Sequence, residues 1–139
     1  MATVHSSFFH TRRKLLFGFS TVYVLGLILS HAAFPPVHVW IIAAVFSVAM
    51  NFTYIVEAAS LGRWLRLEVW IAATLIVASF LGLLIHPLFV IGAIFAHGLW
   101  DMAKHHGAGV PFVSWYTLGC FVVDVTYSSV LLIYWLQTG

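Results

Sequence analysis

The chain has 139 residues, of which 63% are apolar and only 7% charged, against roughly 25% charged in a soluble domain. That composition excludes a water-soluble globule and leaves lipid as the solvent for most of the surface. The net charge is +2. No phosphate-binding glycine loop or basic–aromatic patch occurs, so nucleic acid is not an expected partner, and the single Cys120 excludes an intrachain disulfide.

Taken in order, residues 1–13 are polar and lead into the basic Arg12-Arg13-Lys14. The apolar run 15–34 follows. A basic stretch before an apolar run also reads as a secretory or twin-arginine signal. At about 20 residues, however, the run is long enough to span a bilayer and longer than most signal cores, so the first transmembrane helix is expected here. Pro35-Pro36 ends it, because proline lacks the amide donor and disfavours helix in the residue before it. A second span is expected over 37–61, with Asn51, Tyr54 and Glu57 as its interior polar residues, and a third over 68–85 after the polar link at 62–66. His86-Pro87 interrupts the apolar pattern. One helix over 68–104 would be about 55 Å long, well beyond a hydrocarbon core of about 30 Å. A hairpin at His86-Pro87 and a fourth span over 88–104 fit better. The glycines of 105–109 form a turn, and Pro111 suits the first turn of a fifth span over 111–135.

The expected fold is therefore an all-α, polytopic transmembrane bundle of five spans, or four if the first is not a true span. With the N-terminus in the cytoplasm, Arg12, Arg13, Lys14, Arg63, Arg66 and Lys104 all fall on the inner side, as the positive-inside rule requires. Trp40, Trp64, Trp70, Trp100, Trp115 and Trp135 fall near span ends, the aromatic-belt position.

Ionisable groups in a bilayer are costly and usually face the bundle interior. His97, Asp101 and His105 follow one another at four-residue steps and share a face of the fourth span. Thr117, Cys120, Asp124 and Tyr127 make a stripe on the fifth, and Tyr54 and Glu57 one on the second. Counting helical rise puts Glu57 and Asp101 about 5–6 Å from the cytoplasmic end, His97 about 12 Å in, and Asp124 deeper still. Asp124 is too deep to reach water, and His97 is its expected partner, as a buried polar pair or proton relay.

Imidazole and carboxylate are common ligands of iron, zinc and copper. Glu57, His97, Asp101 and His105 are accordingly candidate metal ligands at the cytoplasmic side. A structural reading stands beside this one. Asp101 can pair with Lys104 or His105, His97 can hydrogen-bond across helices, and His105-His106 can be a wet loop. His31, His38 and His86 are expected at the opposite, outer interface, and Cys120 is expected to pack as a small apolar residue.

The pattern His97-x-x-x-Asp101-x-x-x-His105-His106 partly resembles the histidine boxes of membrane di-iron desaturases and hydroxylases. Those enzymes carry several boxes and this chain one degenerate box, so a complete di-iron set within one chain is not expected. The wider run His97-Gly98-Leu99-Trp100-Asp101, His105-His106, Val110-Pro111, Trp115-Tyr116, Cys120 and Asp124 resembles a group of small bacterial integral membrane proteins of unassigned function. That resemblance implies a multi-pass protein of the bacterial inner membrane and no particular activity. Three functions remain open. One is a metal-binding or redox protein, which as an enzyme would admit its substrate from lipid. The second is an accessory subunit of a larger membrane complex. The third is a small proton-linked transporter, which would have to work as a homo-oligomer.

Overall fold

The computed structural model describes residues 12–33 and 38–138. The polar N-terminal stretch, the Pro35-Pro36 break and the side chain of His31 lie outside that description. Among the described residues six helices follow in order: α1 (Arg13–Ala33), α2 (Val39–Met50), α3 (Phe52–Leu61), α4 (Leu65–Leu84), α5 (Leu88–His105) and α6 (Ser114–Thr138). No strand occurs among the described residues. Only Asn51 separates α2 from α3, and it keeps right-handed helical dihedrals (φ −71°, ψ −18°), so the two run on as a single rod of 23 residues. Its side-chain amide donates to the Ser47 carbonyl at 2.6 Å. Asparagine competes in this way with the helix's own ladder and interrupts it for one residue. Three rods, Val39–Leu61, Leu65–Leu84 and Trp115–Gln137, are long and apolar enough to cross a membrane.

The turns between rods follow from a few residues. Gly62 closes α3 in the left-handed region (φ 65°), and Arg63 donates back to the Ala58 carbonyl, the pairing that satisfies a helix's last carbonyls. At the next turn the amides of Ile85 and His86 both donate to Leu81, and His86 Nδ1 accepts from the Leu88 amide at the start of α5. Pro111 does not open the last helix as expected; α6 starts at Ser114. The reason lies at Val110, whose amide and carbonyl are both engaged by buried side chains of α4 and α5.

Across each turn, residues equally far from it meet. Ser47 and Ser79, sixteen residues either side of Arg63, share a hydrogen bond of 2.7 Å. Glu68 and Lys104, eighteen residues either side of His86, form an ion pair. His105 and Thr117, six residues either side of Pro111, are 3.3 Å apart. Consecutive rods are therefore antiparallel neighbours. At the α4–α5 crossing no side chain fits on Gly82: a Cβ there would lie 2.5 Å from Val90 Cβ. Among the described residues the backbone of α1 approaches α2, and its Phe17 ring reaches Trp115 on α6.

The distribution of polarity is the inverse of that in a protein folded in water. All four acidic residues, Glu57, Glu68, Asp101 and Asp124, are buried, whereas such side chains are almost never fully buried in soluble domains unless paired. Large apolar side chains such as Leu15, Val22, Val45, Trp70, Phe80, Leu99, Val122 and Leu136 cover the outside. Inside, two apolar clusters are stacked along the bundle. One contains Phe46, Met50, Val90, Ile94, Tyr127 and Leu131. The other contains Leu16, Tyr54, Ala58, Val110 and Tyr116. The polar site lies where they meet.

Candidate functional site

α5 and α6 are the most closely packed pair, and Gly98 permits it. A Cβ on Gly98 would lie 3.0 Å from the Asp124 Cβ and 3.7 Å from the Phe121 carbonyl oxygen. Small residues let helix backbones approach in this way when lipid supplies no hydrophobic drive. The close approach brings Asp124 onto the neighbouring His97, with Nδ1 to Oδ2 at 3.0 Å. Asp101, one turn along α5, places its Oδ2 3.2 Å from the same nitrogen. From α3, the Tyr54 hydroxyl donates to Asp101 Oδ1, and the Tyr54 ring stacks on the His97 ring at 5.7 Å and 5°.

His97, Asp101 and Asp124 thus form one group whose ligand atoms all lie within 4.8 Å of one another. Each is buried, with relative exposures of 3%, 0% and 2%. Two carboxylates face one imidazole. The one buried lysine or arginine among the described residues, Lys104, is engaged by Glu68. Two atoms of the group, His97 Nε2 and Asp101 Oδ2, are buried without a hydrogen-bond partner. Such atoms are rare in folded proteins, because an unmade bond leaves its desolvation cost uncompensated.

The donor spacing suits a cation. Two ligands at about 2.1 Å from a metal are about 3.0 Å apart at a right angle and about 3.4 Å apart at the tetrahedral angle. The 3.0 and 3.2 Å separations from His97 Nδ1 fall in that range, which is also the range of a hydrogen bond. A neutral imidazole with two carboxylates carries two negative charges, which a divalent ion balances.

Of the four residues expected as ligands, the structure brings His97 and Asp101 together, and Asp124 joins them. Glu57 and His105 do not belong to the group. His105 lies eight residues beyond His97, about 12 Å along the axis, so a shared face does not put it at a shared depth; its Nδ1 meets Thr117 Oγ1 instead. Glu57 is fully buried outside this group, and from α3 it is Tyr54 that meets His97 and Asp101. Asp101 Oδ1 accepts from Tyr54, and its Oδ2 lies 3.2 Å from His97 Nδ1 without a hydrogen bond. At the other end of the bundle, His86 packs its ring on Trp135 at 5.2 Å.

A second polar cluster goes beyond the sequence expectations. Glu68 accepts from Lys104, from the Val110 amide at 3.0 Å and from Trp100 Nε1 at 3.1 Å. Lys104 also donates to the Val110 carbonyl and lies over the rings of Tyr54 and Trp100 at 4.5 and 4.7 Å. Gly109 closes this cluster at φ 65°, where a Cβ would come within 2.6 Å of Glu68 Oε1. The signal was available: Glu68 and Lys104 are equidistant from the His86 hairpin. Every polar group here is matched, which marks it as structural and sets it apart from the half-satisfied group around His97. Comparison of the chain with protein-family models, with curated proteins and with solved structures finds no match.

Proposed function

We propose that this chain is a multi-pass protein of the cell membrane, with five spans and a cytoplasmic N-terminus, that binds a divalent transition metal through His97, Asp101 and Asp124. The membrane reading is supported by the apolar outer surface and the burial of all four acidic residues. Its orientation is supported by the basic residues. The antiparallel rods put Arg12, Arg13, Lys14, Arg63, Arg66 and Lys104 at one end, and that end faces the cytoplasm under the positive-inside rule.

The observation that carries the metal reading is the convergence of one imidazole nitrogen and two carboxylate oxygens, with Asp101 Oδ2 buried and unsatisfied. One nitrogen and two oxygen ligands suit iron, manganese or zinc better than a thiolate-selected metal. Tyr54 would hold Asp101 in its ligating orientation, as outer partners of metal ligands do. A second reading, a proton held between His97 and Asp124, is favoured by their 3.0 Å hydrogen bond. Elemental analysis of detergent-purified protein decides between them. Stoichiometric metal that is lost in Asp124→Asn and His97→Ala supports the metal reading. A folded wild-type protein that takes up no iron, manganese or zinc overturns it in favour of the proton.

A further inference from the structure

The charge of the folded chain is sorted by depth. All four acidic side chains are buried, and of the six lysines and arginines only Lys104 joins them. Arg12, Arg13, Lys14, Arg63 and Arg66 are exposed. A net charge of +2 therefore conceals a surface whose charged side chains are all cationic. These five lie at one end of the bundle. Leu16 shares an apolar cluster with Ala58, Val110 and Val113, and Leu61 packs against it, so the start of α1 and the turn between α3 and α4 are at one level. The turn at 85–87 and the last turn of α6, at the other end, contain no lysine, arginine or acidic residue.

Two tryptophans fix the depth of this cationic end. Trp64 is exposed between Arg63 and Arg66, and Trp115 is exposed where its ring meets Phe17 edge-on at 6.2 Å. Tryptophans at the end of a membrane bundle sit at headgroup level, which places the five cations among the lipid phosphates. Each cation there attracts an anionic headgroup, and no carboxylate of the chain shares the surface to compete. A zwitterionic lipid offers the same phosphate beside its own ammonium, which cancels most of the attraction. We propose that this end of the folded protein binds anionic phospholipid headgroups, phosphodiesters without a compensating amine, in preference to zwitterionic ones. The positive-inside rule describes how a chain inserts; the proposal concerns the lipids that the folded protein keeps beside it. It rests on the membrane reading and not on the metal.

Electron spin resonance of the protein reconstituted in phosphatidylcholine bilayers tests this, with spin-labelled phosphatidylglycerol and spin-labelled phosphatidylcholine as the probes. The labelled phosphatidylglycerol is expected to associate at least about fivefold more strongly, the factor that one surface cation supplies. Added salt should shrink that preference, because exposed charges are screened. Arg63→Gln/Arg66→Gln and Arg12→Gln/Arg13→Gln/Lys14→Gln should each reduce it. These are exposed positions, where substitution costs little stability. Equal association of the two probes, or a preference that neither set of substitutions reduces, overturns the proposal. So does a preference abolished by soluble glycerol phosphate, which would mark a site for free phosphate and not for lipid. A chain that stays in solution without detergent overturns the membrane reading and this proposal with it. The lipid preference in a protein that takes up no metal overturns the metal reading alone. Should either variant fail to fold, the comparison of probes and its salt dependence decide.

Discussion

Replacing Lys104 by methionine removes the cation from a fully buried carboxylate. Glu68 and Lys104 have side-chain exposures of 1% and 0%. Breaking such a pair from one side typically costs about 3–5 kcal/mol, because the remaining charge has neither partner nor water. Here the lower end, about 3 kcal/mol, is expected, since Trp100 Nε1 and the Val110 amide still donate to Glu68. Glu68→Ala should cost more, because it orphans Lys104, the Trp100 indole and the Val110 amide together. The double variant Glu68→Gln/Lys104→Met removes both charges and keeps a side-chain carbonyl for the Trp100 and Val110 donors. It should fall within about 1–2 kcal/mol of the wild type, as when both members of a buried pair are replaced by groups of similar volume. Unfolding by SDS titration in mixed micelles, read by far-ultraviolet circular dichroism, measures all four proteins side by side. A Lys104→Met protein as stable as the wild type, or a double variant no more stable than Lys104→Met alone, would refute this account of the cluster.

Three further experiments test the packing and the site. Gly82→Ala places a methyl 2.5 Å from Val90 Cβ and 2.7 Å from its backbone nitrogen. It should destabilise the α4–α5 hairpin by about 1–3 kcal/mol, seen as a lower melting temperature in detergent; Gly92→Ala, which meets nothing within 4 Å, is the control. Tyr54→Phe leaves Asp101 Oδ1 without its donor and should lower metal affinity about 10–100-fold, as loss of an outer hydrogen bond to a ligand does. Metal retention during dialysis against a graded chelator series reads this. Ser47 and Ser79 should couple by about 0.6 kcal/mol in a double-mutant cycle, the mean for hydrogen bonds between membrane helices. A coupling of zero would mean that each serine is served by its own helix, as Ser79 partly is through the Leu75 carbonyl at 2.8 Å.

The sequence by itself determined the elements. Proline, glycine and the limited length of apolar runs set helix ends at 61, 84 and 105, within a residue of the expected ones, because breakers act locally on the backbone. Depth could be counted as well. Helical rise put His97 and Asp124 far from water, and their pairing followed from each needing a partner there. Shared depth across helices was less legible. Periodicity grouped His105 with His97, although eight residues of rise separate them, and it gave no reason to prefer Tyr54 to Glu57 as the group that meets Asp101. Only the tertiary structure decided those points, because they depend on how far each helix slides and rotates against its neighbours. Gly98 and Gly82 set two of those approaches by having no side chain. The Glu68–Lys104 cluster is intermediate. Its register was implicit in the His86 hairpin, but its completion by Val110 required the loop after α5 to fold back onto α4. The cavity bordered by Tyr23, Phe46 and Tyr116 was not legible at all, because it is the space left where α1, α2, α5 and α6 fail to fill the gap between them.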